Sequence, residues 1–177
     1  MRRFYIGALI LVFVVLAVLS IVSSRFSRIQ QPSSTTSLSH LVFPQGWRIV
    51  QSNNDTTLVK LQKVNDKKNP AVVLIYSLVP NGKNPHDYVE SLIKGTFSAL
   101  PTITLSENKE DQKDGYYIRT LKGSYPSEGK TISVLQMIYI KGKNAYTLTG
   151  SYIGSDPSFE KEITTIFDTL YTGEINR

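Results

Sequence analysis

The chain has 177 residues, room for one ordinary domain plus extensions. Its 20 Lys+Arg against 14 Asp+Glu give +6, but the excess is scattered through mixed-sign segments such as "KVNDKKN" (63–69) and "NKEDQKDG" (108–115). These read as solvated turns, and without a basic stripe along one face no nucleic-acid partner is expected. There is no cysteine, which excludes disulfides, thiolate nucleophiles, cysteine zinc sites and a cysteine-borne lipid anchor. Two histidines, His40 and His86, are too few for most metal sites.

The N-terminus carries the strongest signal. Phe4 through Ser24 hold no charge, and as a helix this run spans about 31 Å, the thickness of a hydrocarbon core. It has no polar face, and Tyr5 sits where an interfacial aromatic is expected. Residues 1–24 therefore read as a single-pass membrane anchor. A cleaved signal peptide is the competing reading, but its apolar region is shorter. A pilin-like start would need Gly before Phe and an early Glu; here Phe4 follows Arg3, and residues 4–24 hold no acid. Arg2 and Arg3 face Arg25 and Arg28 across the run, a slight bias that keeps the short tail inside. The rest of the chain is expected outside the cytoplasm, at the cell membrane.

Residues 25–40, "RFSRIQQPSSTTSLSH", are Ser/Thr-rich and read as a flexible linker. A domain over 41–177 follows. "LVFPQGWRIVQ" (41–51) opens it with the only tryptophan, Trp47. A lone Trp beside a Gly suits ligand stacking, but its place between a tether and three strands points to a domain start, with Phe43 and Trp47 sealing the first sheet edge. Strands are expected at 47–51, 56–64 and 71–79. The third, "AVVLIYSLV", is apolar on both faces and belongs inside a sheet covered on both sides.

"KNPHDYVESLIKGTFSAL" turns helical. Asn84 caps, Pro85 opens and Asp87 suits the first turn. Tyr88, Val89, Leu92, Ile93, Phe97 and Leu100 form one apolar stripe. His86 and Asp87, adjacent on a helix, do not face each other, so they read as capping the first turn and not as an acid–base pair. Strands then follow at 102–107, 115–125, 131–141 and 145–153, joined by a charged turn, "PSEGK" and "GKN". Gly150 marks a bulge or a closely packed helix. The last element, "SDPSFEKEITTIFDTLYTG", is capped by Asp156 and Pro157. It aligns Phe159, Ile163, Ile166, Phe167 and Leu170 on one face, with Gly173 as its stop.

The order β-β-β-α-β-β-β-β-α resembles the PsbP-like fold. That family takes in the photosystem II extrinsic protein PsbP, Ran-binding import factor relatives and DcrB-type envelope lipoproteins. The resemblance covers about residues 41–173 and rests on "FPQGW", the helix after three strands, "KNAYTLTGSY" and "FEKEITTIFDTL". It implies an α+β domain, an αβα sandwich with a central, mainly antiparallel sheet of six to seven strands and two helices. It further implies a non-enzymatic role in binding or assembly. Unlike the lipoprotein members, this chain has no lipid-attachment Cys, so the N-terminal helix does the anchoring.

No catalytic, cofactor-binding or metal residues are assigned. Hydrolase, phosphate-loop and zinc motifs are missing from the sequence. Asp55, Asp66, Asp111 and Asp114 lie in turns, and "DQKDG" (111–115) lacks calcium-ligand spacing. Most of the ten tyrosines alternate along strands and read as core or sheet-surface residues. The expected function is a membrane-anchored extracytoplasmic binding or assembly module with a protein partner in the envelope. The rival readings are an envelope hydrolase with an unrecognised site and a structural subunit of a surface assembly.

Overall fold

Period-two apolar patterning builds one sheet, and two apolar helical stripes cover it. The computed structural model describes residues 40–51 and 56–176. The anchor (1–24) and the linker up to residue 39 lie outside them, as does Asp55. The strands are β1 (Trp47–Ile49), β2 (Thr57–Lys63), β3 (Ala71–Leu78), β4 (Thr104–Lys113), β5 (Tyr116–Ser127), β6 (Lys130–Lys141) and β7 (Asn144–Ile153). Helix α1 (Pro85–Ala99) separates β3 from β4, and α2 (Pro157–Leu170) follows β7. The sheet is open, with strand order β1-β2-β3-β7-β6-β5-β4, and every pairing is antiparallel. The protein is thus α+β.

As its two-faced apolar run requires, β3 lies inside the sheet, between β2 and β7, with Val72, Val73, Leu74 and Ile75 all buried. Alternate side chains go to opposite faces. Leu74, Leu148 and Tyr139 meet α2, whereas Ile138, Ile140 and Leu121 meet α1. One helix therefore lies on each face.

The α2 stripe is buried as its spacing requires: Phe159, Ile163, Ile166, Phe167 and Leu170. Asp156 accepts a hydrogen bond from the Ser158 N–H, and Pro157 opens the helix. Lys68 Nζ lies 2.8 Å from Asp156. That hydrogen bond, and those from Ser158, hold the Asp156 carboxyl well below the usual range. Gly150 settles as close packing, not a bulge: a Cβ there would lie 2.3 Å from Ile163 Cγ2, and β7 pairs without a register shift.

Two expectations need correction. The "charged turn" at 108–115 is mostly strand: β4 runs to Lys113, and only Asp114-Gly115 turns, both at positive φ (54° and 78°). That is the backbone of a two-residue hairpin turn. Mixed charges suit this strand because β4 is the sheet edge, where charge blocks edge-to-edge association. Nor does Gly173 stop the last helix. The chain continues as a π-helical turn, Tyr171–Ile175, and a Cβ on Gly173 would lie 2.3 Å from Leu41 Cδ2. Glycine is required there by the incoming chain.

Trp47 is buried, and its indole N–H donates to Glu162 Oε2 on α2 at 2.7 Å. Lys63, its register partner on β2, reaches the same carboxylate at 2.8 Å. The residue thus locks the first edge of the sheet to α2.

Two substitutions test this core. Phe167→Asp, which would bury a carboxylate at a site with 0% exposure, is expected to abolish cooperative folding. Circular dichroism melting at the wild-type temperature would refute the docking of α2. Trp47→Ala is expected to cost about 3–5 kcal/mol in chemical denaturation, and a change below about 1 kcal/mol would show that the indole is not part of the core.

Candidate functional site: an apolar groove beside α1

The two helices cover their faces unequally, and chain length explains why. Fifteen residues of α1 extend about 22 Å. The twelve-residue strands β5 and β6 extend about 40 Å. On the opposite face, the π-helical turn, Leu41 and Phe43 extend the cover that α2 provides. On the α1 face nothing equivalent follows Pro101, and a groove remains.

Its walls come from Ile93, Thr96, Phe97 and Leu100 of the α1 segment, and from Ile103 and Leu105 leading into β4. Its floor is Val73 and Ile75 of β3, Leu121 and Tyr125 of β5, and Val134 of β6. Small side chains deepen it at Ala71, Gly123 and Ser151. Gly123 has a second role: a Cβ there would lie 2.6 Å from the Thr104 carbonyl oxygen. Its absence lets the edge strand lean inward at the register shift between Leu105 and Glu107.

Among the described residues that line the groove, none is charged. Its polar groups are largely satisfied internally. The Thr96 hydroxyl donates to the Leu92 carbonyl at 3.0 Å, and Gln136 Nε2 donates to Thr149 Oγ1 at 3.0 Å. Burial pushes the Tyr125 hydroxyl pKa well above its ordinary value, so it stays neutral. Phe97, which the helical stripe places in the core, is 38% exposed and lines the groove instead.

The residues singled out as chemical lie elsewhere. Asn84 supplies the α1 cap, its Oδ1 accepting from the Asp87 N–H at 2.8 Å and its Nδ2 donating to the Asp87 carboxylate at 2.8 Å. His86 has no part in it; its Nδ1 donates to Glu110 Oε1 on β4, 2.8 Å away. Arg119 of β5, 7% exposed, reaches beneath both, bonding Glu110 through Nη1 and Glu90 through Nη2, the latter at 2.8 Å. Burial alone would raise the Glu110 pKa, but the His86 hydrogen bond, the nearby Tyr117 hydroxyl and the Arg119 charge bring it below its ordinary value. One ligand atom from each of His86, Glu90 and Glu110 lies within 4.8 Å of the others, a spacing that would suit a metal ion. The Arg119 guanidinium, however, already supplies the cation between the two carboxylates. The cluster joins helix, edge strand and sheet, each carboxylate accepting from Arg119 through Oε1.

Asp114 also has a structural partner: it accepts from the Tyr171 hydroxyl at 2.7 Å. Burial, followed by Asp114, pushes the pKa of that hydroxyl up to about 12. Tyr116 and Tyr139, from alternating strand positions, pack with Tyr171 of the π-helical turn in the α2 face. Trp47 is likewise a core residue, far in function from any open surface. His40 is exposed at the start of the described chain.

Sequence reasoning missed the groove. The signal was present in two parts: the α1 stripe runs on to Phe97 and Leu100, while the strands offer Ala71, Gly123, Thr149 and Ser151 where a tight core would need bulk.

No family model matches the chain, and no curated protein matches it. Solved structures do. LpqN of Mycobacterium tuberculosis, involved in cell envelope biogenesis, is 20% identical with a TM-score of 0.51, over 73% of this chain and 76% of that one. PA94 of Pseudomonas aeruginosa, a protein of unknown function, is 14% identical with a TM-score of 0.58, over 70% and 95%. The cyanobacterial PsbP of Synechocystis, CyanoP, is 15% identical with a TM-score of 0.52, over 75% and 82%. At such identities the likeness speaks for architecture, and it agrees with the strand order and helix placement above: the chain has the PsbP-like fold.

Proposed function

We propose that this protein is a non-catalytic binding module, held at the outer face of a membrane by its N-terminal helix, with the groove beside α1 as its binding site. The observation that carries the reading is the groove itself: a neutral, mostly apolar recess on a rigid sheet, the usual make-up of a ligand site. The uncharged run from Phe4 to Ser24 supports the anchor, and the whole domain following a short N-terminal tail supports the outward placement. LpqN, which shares the fold, is a protein of cell envelope biogenesis, a setting that accords with this placement. The partner is a component of the envelope, not nucleic acid. The carboxylate–imidazole cluster around Arg119 lies outside the groove lining, and both of its carboxylates tie to the guanidinium through Oε1.

Two experiments test this. A photoreactive phenylalanine analogue in place of Phe97, in the full chain in cells, is expected to capture a molecule other than this protein. The same analogue at Lys94, exposed on α1, is expected to capture none. Identical patterns at both positions would remove the groove from the function. External protease acting on right-side-out membrane vesicles is expected to cut in residues 25–40 and release the domain. Protection there, with cleavage only in inverted vesicles, would place the domain in the cytoplasm.

A further inference from the structure

Taking the groove as the binding site, we propose that its occupant is the hydrocarbon chain of a membrane lipid. The groove's hydrogen-bonding state makes the first argument. Its floor is formed by β3, β5, β6 and β7, interior strands whose neighbours on both sides are already paired. The Thr96, Gln136 and Thr149 side chains are bonded locally. An extended peptide laid there would bury N–H and C=O groups without partners, at a cost that a hydrocarbon chain does not incur.

Shape makes the second. The enclosed space is about 60 Å³, well under the ~300–1,000 Å³ of drug-sized ligand sites, so it admits a slender chain segment and not a bulky ligand. Among the described residues, the large apolar side chains that stand exposed are Val42, Ile49, Val64 and Phe97, and of these Phe97 lines the groove. The apolar surface is therefore recessed. A second copy of the chain would need about 800 Å² of contact on each partner, and a concave recess with one exposed aromatic offers no such face.

The chain outside the described residues makes the third. Residues 4–24 are uncharged and long enough to cross a bilayer. A flexible chain of the length of 25–40 has a root-mean-square reach of about 20–25 Å. A domain on that tether meets the bilayer surface at high effective concentration, and lipid is the apolar ligand always within reach.

The test uses the full chain in phosphatidylethanolamine–phosphatidylglycerol vesicles doped with a phospholipid that carries a mid-chain diazirine. After irradiation, mass spectrometry is expected to find lipid on peptides containing Phe97 and Val134, as well as on residues 4–24. Val134→Trp, which fills the groove, is expected to lower labelling of the Phe97 peptide about tenfold while leaving the 4–24 label unchanged as an internal standard. Phe97→Glu, at an exposed position that the fold tolerates, is expected to lower labelling of the Val134 peptide in the same way. Label confined to 4–24, or groove labelling indifferent to both substitutions, overturns the lipid assignment. If residue 97 then still captures a polypeptide in cells, the binding-module reading stands and only the lipid falls. If it captures nothing, both fall.

Discussion

At Gly150 a single missing side chain sets the distance between α2 and the sheet. A Cβ there would lie 2.3 Å from Ile163 Cγ2, nearer than atoms can approach, so the helix seats itself where glycine leaves space. Everything on that face follows from the close approach. Phe167, Ile166 and Leu170 reach full burial, and Tyr171 stacks on Tyr139 at 4.9 Å. Glu162 comes within reach of both Trp47 and Lys63, which fastens the short strand β1, otherwise held by three register pairs. The same logic recurs at Gly173, where the incoming Leu41 takes the place of a side chain. One face of the domain is thus closed by two glycines that admit their neighbours.

The other face is built to a different rule. Gly123 also admits a neighbour, but the neighbour is the backbone of the edge strand, and its effect is to tilt Leu105 over the sheet and not to seat a helix. α1 is too short to cover twelve-residue strands, and small residues on the floor leave the remainder hollow. The asymmetry gives one sheet two faces of different make-up: one packed throughout by α2 and one that α1 covers only in part. The buried floor residues Val73, Ile75, Leu121 and Tyr125 belong at once to the core and to the groove.

Up to the end of α2, the sequence made the packed face legible. Every position of the α2 stripe, the capping of both helices and the interior place of β3 follow from periodicity and cap chemistry, because each is a local pattern with one physical reading. The groove was illegible because it is a deficit. Phe97 and Leu100 continue the stripe of α1 perfectly well; what they lack is a partner, and partners come from strands 25 to 50 residues away in sequence whose facing residues happen to be small. The length of β4 was misread for a related reason. "NKEDQK" has turn composition, yet an edge strand accepts the same residues because its outward groups meet water. His86 looked like part of the cap because sequence neighbours are visible and Glu110, on another element, is not.

Those long-range partners also decide how α1 is held. Its N-terminal half is fastened several times over: Asn84 caps it, the Tyr88 hydroxyl lies 3.0 Å from Ser77 Oγ of β3, and Arg119 draws Glu90 and Glu110 toward one buried guanidinium. Tyr88, Val89, Leu92 and Ile93 are buried. Past Ile93 the support thins. Phe97 is exposed, the last turn carries no basic residue to meet the helix's negative end, and the groove lies beneath. A helix fixed at one end and underlain by open space at the other costs less to displace at the open end, since fewer buried contacts must be broken there. The ion cluster around the buried Arg119 guanidinium therefore bears on the groove without touching it: it is the fixed end against which the wall formed by Phe97 and Leu100 is set.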